Sequence, residues 1–237
     1  MGKGIDIRKK LTPTQLVIST FALVIVLGTI LLSTPFATVS GERMPMIDAL
    51  FTIVSATCVT GLVVVDTGSY FSTFGQIVIL ICIQIGGLGL MAFTSVFVVA
   101  LGHRVAIADR LAIQQTFHHT PISNIRQLIK YIVLATFLAE GLAICLLTVH
   151  WTWQERFSGF GETFYNAVFH SVSAFCNAGF SLNPDSLLQY NSDPITLFTT
   201  SFLIIAGGIG FLVFLDIKLY VQNYLSFYFP VGRETRK

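Results

Sequence analysis

The sequence predicts an all-α membrane protein built from two parallel helix–pore-loop–helix repeats. Three observations lead to this prediction. Apolar residues make up 54% of the 237 positions and charged residues only 11%, against about 25% charged in typical soluble domains. The apolar residues fall in long charge-poor runs. The heptapeptide SATCVTG at Ser55–Gly61 returns, little changed, as SAFCNAG at Ser173–Gly179. The formal net charge of +2 is too small to indicate a nucleic-acid partner.

Four of the apolar runs have the length of membrane-spanning helices, which need about 20 residues. The predicted spans are Leu16–Leu32, Thr73–Leu101, Leu128–Val149 and Pro194–Tyr220. The first follows Lys9 and Lys10, as the apolar segment of a signal peptide would. Since no clear small-residue cleavage pattern follows it, we interpret it as a retained span.

Two shorter apolar stretches, Ala49–Val65 and Thr163–Leu182, are predicted to enter and leave the membrane on the same side. The reason is the position of twelve of the fourteen Lys and Arg residues, which cluster at the N-terminus, in the central loop and at the C-terminus. Basic loops stay in the cytoplasm. All three clusters are cytoplasmic only if an even number of spans separates each pair, so both chain ends are predicted to be cytoplasmic.

This topology divides the chain into four parts. Residues 1–102 form a first helix–pore-loop–helix unit with a cytoplasmic N-terminal tail. Residues 103–127 are a cytoplasmic linker, residues 128–222 the second unit, and residues 223–237 a cytoplasmic tail. The outer loops carry acidic side chains that either raise the local cation concentration or are solvated loop residues: Glu42, Asp48, Asp66, Glu155, Glu162, Asp185 and Asp193.

The internal repeat extends beyond the heptapeptide. Asp48–Leu62 aligns with Asn166–Phe180 without gaps, with seven of fifteen positions identical. A second block, IGGLGL at Ile85–Leu90, matches AGGIGF at Ala206–Phe211. Both copies begin on the cytoplasmic side and are therefore parallel repeats. The paired glycines of the second block indicate close helix packing or a bend rather than phosphate binding.

The repeated heptapeptide suits a backbone-lined ion site. Non-helical backbone at membrane depth is tolerated where protein buries it or where it lines a water-filled path. Glycine permits positive φ and a close backbone approach, so loops ending at Gly61 and Gly179 can aim carbonyl oxygens at a common axis. Rings of such carbonyls replace the hydration shell of a potassium ion. The alternative is that both glycines only permit tight turns.

Several other side chains stand out. Glu140 interrupts the third span, where an ionised carboxylate costs about 2.5–3.5 kcal/mol. It is predicted to face protein as an intramembrane polar partner, with a structural hydrogen bond or a role in ion permeation as the two alternatives. Trp151 and Trp153 fit an outer interfacial belt. Cys58, Cys82, Cys145 and Cys176 are expected to be small buried hydrophobes.

These motifs together resemble the Trk/Ktr/HKT superfamily of potassium transporters, above all the bacterial Ktr membrane subunit. The resemblance is carried by SATCVTGLVVVDTG with IQIGGLGLMAF, and by HSVSAFCNAGFSL with GGIGF. The resemblance implies that the repeats are of potassium-channel type, because family members have four such units fused around one pore. This sequence contains two of them. The resemblance implies that the potassium filter residues are Cys58, Val59, Thr60, Gly61, Cys176, Asn177, Ala178 and Gly179.

The resemblance also implies a location and partners. These are membrane lipid in a bacterial cell membrane, a second copy in a homodimer, and a cytosolic nucleotide-binding regulatory subunit. Potassium is the expected ion, with sodium as a modulator and no organic cofactor in this chain. Potassium translocation is the first functional hypothesis. A non-conducting half-transporter acting as an interaction or regulatory subunit is the alternative. An enzyme is disfavoured, because the sequence shows no paired carboxylates, Ser/His/Asp set or metal cluster.

Overall fold

The computed structural model describes residues 13–102 and 125–209, and within these ranges the chain is helical apart from one isolated antiparallel bridge between Thr38 and Phe71. Seven α-helices follow in order: α1 (Pro13–Leu32), α2 (Met46–Thr57), α3 (Thr67–Tyr70), α4 (Thr73–Gly102), α5 (Ile125–Trp153), α6 (Phe160–Phe175) and α7 (Pro194–Ile209). Short 3-10 helices lie at Pro35–Ala37 and Leu188–Tyr190. The prediction of an all-α protein is confirmed.

The first unit consists of α1, the short helix α2 and the long helix α4. At about 1.5 Å per residue, the 12 residues of α2 extend about 18 Å, well short of a hydrocarbon core of about 30 Å. An extended segment follows α2, and the chain then enters α3, whose N-terminus is capped by Asp66 accepting from Ser69 N at 2.7 Å. The order is therefore long helix, short helix, loop, long helix.

The second unit repeats this order with α5, α6 and α7. Asp193 caps α7: its Oδ1 accepts from Thr196 N at 3.2 Å and its Oδ2 from Thr196 Oγ1 at 2.7 Å. Pro194 follows as the first helical residue, a position where the missing N–H costs nothing. Helix α5, at Ile125–Trp153, extends beyond both ends of the predicted third span Leu128–Val149. The predicted part of the fourth span beyond Ile209, most of the linker and both tails lie outside the described residues.

Among the described residues, two helices are long and apolar enough to cross a membrane, over Thr73–Met91 and Ile129–Trp153. Shorter apolar helices cover Ile18–Leu32, Met46–Thr57 and Pro194–Ile209. The length difference within the first unit agrees with the sequence argument, because α2 is too short to be a span while α4 is long enough.

The two units meet along α4. On one side α4 packs against α1 and α2 in a core that includes Leu32, Ile53 and Ile79. On its other side it contacts α5 and α6 of the second unit. Gln76 links the units: its Nε2 donates to Phe71 O at 2.9 Å, while its Oε1 accepts from Tyr165 OH at 2.9 Å. This buried amide thus forms hydrogen bonds with a loop of the first unit and with a helix of the second.

The expectation for Trp151 is wrong. Its side chain is fully buried, stacks on Tyr190 with ring centroids 5.3 Å apart, and donates from Nε1 to Thr196 Oγ1 at 2.8 Å. Trp153, in contrast, is 83% exposed. Two residues along a helix point about 200° apart, so the two indoles face opposite environments. Only Trp153 has the exposure that an interfacial belt requires.

Candidate functional site

Each short helix ends in the same hydrogen-bonded turn. At the end of α2, Thr60 N donates to Ser55 O at 2.9 Å and Val59 N to Ala56 O at 3.3 Å. At the end of α6, the equivalent bonds run from Ala178 N to Ser173 O at 2.8 Å and from Asn177 N to Ala174 O at 3.1 Å. This pair of bonds is the Schellman motif. We call residues 58–61 the first turn segment and residues 176–179 the second turn segment.

Both turn segments have the same alternation of backbone conformation. Val59 and Asn177, at matched positions, have φ values of 54° and 58°. Gly61 and Gly179 follow with φ values of 76° and 73°. Asparagine tolerates this left-handed region, whereas a β-branched valine there is strained. The turns are therefore built alike although the residues at 59 and 177 differ in chemistry.

The two turn segments touch at their glycines. A Cβ built on Gly61 would lie 2.9 Å from Ala178 O and 3.2 Å from Gly179 Cα. A Cβ on Gly179 would lie 3.2 Å from Gly61 Cα. Separations this short leave no room for a side chain at the contact. The two segments that the repeat analysis singled out are thus brought together, backbone against backbone.

The paired glycines of the second repeat block let the long helices approach these turns. A Cβ on Gly86 would lie only 2.0 Å from Thr57 O, at the last residue of α2. In the second unit, a Cβ on Gly207 would lie 1.8 Å from Phe175 O, at the last residue of α6. Between units, a Cβ on Gly87 would lie 2.5 Å from Cys176 Sγ. The glycines therefore act as contact surfaces for the helix ends that hold the turns, as the close-packing interpretation predicts.

Hydroxyl groups fasten each turn segment to its own short helix. Thr60 Oγ1 donates to Ser55 Oγ at 2.9 Å in the first unit, and Ser173 Oγ donates to Phe180 O at 2.6 Å in the second. Ser55 and Ser173 are identical positions of the repeat, but the sequence alone did not indicate their role. The Ser55 hydroxyl accepts a hydrogen bond and the Ser173 hydroxyl donates one. A serine at this position of the repeat can therefore stabilise two different loop sequences.

The second turn segment has two further attachments. His170 lies buried, with Nδ1 2.9 Å from Asn166 O and Nε2 3.1 Å from Ser181 Oγ. The Asn177 side-chain amide lies against α7. In the orientation that satisfies both of its ends, its nitrogen donates to Ile204 O and its oxygen accepts from Gly208 N, each at 3.2 Å. Behind this segment is a cavity of about 200 Å³ whose lining includes His170, Ser173 and Asn177.

Matched side chains of the two units differ sharply in exposure. Phe51 is 43% exposed while its counterpart Phe169 is fully buried, and Leu62 is 60% exposed while Phe180 is 3% exposed. Val54 and Cys58 are likewise exposed, whereas Val172 and Cys176 are buried. The buried set belongs to the unit whose short helix packs against α4 of the other unit. The residues that form an interface in the second unit therefore have exposed counterparts in the first unit.

Several acidic residues of the predicted outer loops form hydrogen bonds within the protein. Asp66 caps α3, and Glu162 Oε2 accepts from Ser158 N at 3.2 Å. Partial burial works against ionisation of Asp193, but hydrogen bonds from Thr196 and His150 hold its pKa below the usual value. His150 Nε2 lies 2.8 Å from Asp193 Oδ1. At least three of these seven carboxylates thus have structural partners.

The remaining sequence expectations have mixed outcomes. Glu140 faces protein, as predicted, and is only 2% exposed. All four cysteines are described and none is in a disulfide, but Cys58 and Cys145 are exposed, so the expectation of four buried cysteines is wrong for these two. In the described ranges, no three His, Cys, Asp or Glu side chains are grouped to hold a metal ion.

Known proteins resemble this chain over nearly its full length. Residues 7–229 match the profile of the TrkH family, described as a cation transport protein. The chain is 41% identical over 208 residues to the Ktr system potassium uptake protein B of Bacillus subtilis, covering 88% of this chain and 46% of that protein. It is 36% identical over 214 residues to the potassium/sodium uptake protein NtpJ of Enterococcus hirae, covering 90% and 47%.

A third relative extends the same pattern. The Ktr system potassium uptake protein B of Vibrio alginolyticus is 36% identical over 203 residues, which cover 86% of this chain and 44% of that protein. The chain thus spans about half the length of the curated relatives it matches.

Proposed function

The chain belongs to the TrkH family of cation transport proteins, and from this premise we propose that it translocates potassium ions as part of a Ktr-like membrane subunit. The family's activity is transport rather than an enzymatic reaction. The observation that carries the proposal is the contact between two turn segments of the same backbone conformation at Gly61 and Gly179. Potassium is the ion named for the two Ktr relatives.

The proposed mechanism is replacement of the ion's water by backbone carbonyls. Residues 58–61 and 176–179 would each supply one side of a carbonyl ring around the ion. Flow follows the electrochemical gradient and needs no covalent step. Glycine at 61 and 179 lets the turn segments approach the ion path without a side chain in the way. Acidic outer residues without structural partners would raise the cation concentration at the entrance.

Two turn segments make half of such a ring, since the four-loop filter surrounds the ion from four sides. The uncovered surface of the first unit supports this interpretation. Phe51 and Leu62 are exposed where Phe169 and Phe180 are covered by the neighbouring unit. A further unit packing as the first packs on the second would cover them. We propose that two more units complete the pore.

We also propose a location and partners for the subunit. The subunit would lie in a bacterial cell membrane with both ends in the cytoplasm, as a homodimer with a cytosolic nucleotide-binding regulator. Sodium would act as a modulator, and the chain itself would carry no organic cofactor. The linker around His118 and His119 would be the contact region for the regulator, since it is the longest predicted cytoplasmic loop. The alternative function remains a non-conducting half that only binds other subunits.

The test is growth of a potassium-uptake-deficient bacterium at low external potassium. One strain expresses residues 1–237 alone. A second expresses them fused to the part of the Bacillus subtilis relative outside the matched region. Equal membrane expression is checked by blot. We expect rescue by the fusion and little rescue by the 237 residues alone.

Each outcome separates the alternatives. A well-expressed fusion that fails to rescue would contradict potassium translocation and favour the non-conducting subunit. Rescue by residues 1–237 alone would keep potassium translocation but refute the need for further units. It would mean instead that two copies of the chain assemble their turn segments into one ring.

A further inference from the structure

A buried polar pair lies at the boundary between the two units, beside the second turn segment. Glu140 of α5 belongs to the second unit and is 2% exposed. The side chain of Gln84, from α4 of the first unit, lies beside its carboxyl. Cys176, the first residue of the second turn segment, follows Phe175, which lies in one buried cluster with Ala143, one helical turn from Glu140.

Each of the two side chains has one buried polar atom without a partner. Glu140 Oε1 and Gln84 Nε2 are both buried and lack a hydrogen-bond partner. One is an acceptor and the other a donor, so each supplies what the other lacks. Leaving two such groups unpaired side by side is costly in a low-dielectric interior. Among the described residues Glu140 forms no ion pair, and an unpaired buried charge is disfavoured, which favours a neutral carboxyl at this position.

The neighbouring contacts connect this pair to the turn. Gly87 follows Gln84 by one helical turn of α4 and touches Cys176 Sγ so closely that a Cβ would lie 2.5 Å away. On the other side, Ala143 of α5 lies in one buried cluster with Phe175, the residue before this cysteine. The end of α6 at Cys176 is therefore packed between α4 of the first unit and α5 of the second, and a separation of these helices would expose it.

We propose that Glu140, as a neutral carboxyl, accepts a hydrogen bond from Gln84 and thereby acts as a positioning residue for the second turn segment. The bond joins the two units at the level of Cys176 and keeps α4 and α5 closed around it. On the proposed function, this fixes the carbonyls of residues 176–179 and so sets ion selectivity. The role is one of hydrogen bonding between units, and it requires no charge on Glu140.

The first experiment measures how well Cys176 is protected. The chain carries Cys58→Ser, Cys82→Ser and Cys145→Ser, and N-ethylmaleimide labels Cys176 in intact membranes. We expect Glu140→Leu and Gln84→Leu each to speed labelling about tenfold, equivalent to ~1.4 kcal/mol in the opening equilibrium. Glu140→Gln should label at the parent rate, because an amide oxygen still accepts from Gln84. The exchanged pair Gln84→Glu with Glu140→Gln should do the same.

Thr148→Val is the matched control. Thr148 is on the same helix and also has a buried hydroxyl without a partner, but it lies two helical turns from Glu140. We expect no change in labelling. Unchanged labelling in both leucine variants would overturn the proposal. So would labelling of Glu140→Gln as fast as that of Glu140→Leu, since this would mean that charge rather than hydrogen bonding holds the turn.

The second experiment measures potassium over sodium preference in the fusion with the Bacillus subtilis relative. We expect Glu140→Leu to reduce the preference and Glu140→Gln to preserve it. Preserved selectivity in Glu140→Leu would overturn the link to the filter. If the unmutated fusion transported no potassium, the proposed function would fail, while the labelling experiment would still decide whether Glu140 positions the turn.

Discussion

Gly61 and Gly179 lie with their backbones in contact, so that a Cβ on either glycine would be 3.2 Å from the Cα of the other. The two residues belong to different units and to turns with matching hydrogen bonds. The contact therefore joins equivalent positions of the two repeats. Two turns that meet at their glycines can present carbonyls to one shared axis.

The first prediction concerns the helix–turn contacts at Gly86 and Gly207. Each Cβ would lie about 2 Å or less from a carbonyl oxygen at the end of a short helix, so alanine must push the backbones apart. We expect Gly86→Ala and Gly207→Ala each to destabilise the folded chain by about 1–3 kcal/mol. Unfolding of the purified chain in mixed micelles, followed by circular dichroism, measures this.

Gly141→Ala is the control for that prediction. Gly141 is also helical, but nothing lies within 4 Å of the position that a Cβ would take there. Alanine at this site should be neutral or slightly stabilising, because glycine is a poor helix former. Equal destabilisation by all three substitutions would mean that the effect is general to helical glycines and not a consequence of these contacts.

The second prediction concerns strain at Val59. This valine has a φ of 54°, while its counterpart Asn177 has a φ of 58°. A β-branched residue is disfavoured there and asparagine is tolerated. We expect Val59→Asn and Val59→Gly to stabilise the chain by about 1 kcal/mol. Val65→Asn, a loop valine without this conformation, should not stabilise. Destabilisation by both Val59 variants would show that valine packing outweighs the strain.

The third prediction concerns membrane topology. The positions of the Lys and Arg clusters predict that the central linker and the outer end of α5 lie on opposite sides of the membrane. His118→Cys and Trp153→Cys, each in a background without native cysteines, should label with an impermeant thiol reagent from opposite sides. Trp153 suits this test because it is exposed, whereas Trp151 is buried. Labelling of both positions from outside would refute the topology.

Most of the helices could be predicted from the sequence, because apolar runs and a repeated motif are features of short stretches of the chain. The short helices end at Thr57 and Phe175, which are matched positions in the alignment of the repeats. The glycine pairs also had the predicted packing role. These features depend on the size of a residue and on the conformational freedom of its backbone, and both follow from the residue type.

Other features depended on which residues meet across the fold. The position of Trp151 in the sequence indicates an interfacial residue, yet the tertiary structure buries it against Tyr190 and Thr196. The contact of Gln84 with Glu140 joins different units and could not be found from either helix alone. The unequal exposure of Phe51 and Phe169 is invisible to an alignment that treats them as identical. Long-range packing, rather than local pattern, decides all three.

The central claim, that the turn segments line a potassium path, is tested most directly by a serine at Gly61. Gly61→Ser in the fusion with the Bacillus subtilis relative adds a side chain whose Cβ would lie 2.9 Å from Ala178 O. Gly41→Ser is the control, since Gly41 has a similar φ of 73° with open space around it. Potassium over sodium preference is measured from ion uptake at matched expression. The account predicts a fall of about tenfold for Gly61→Ser, equivalent to ~1.4 kcal/mol, and none for Gly41→Ser. An unchanged preference in Gly61→Ser would contradict it and leave Gly61 as a turn residue only.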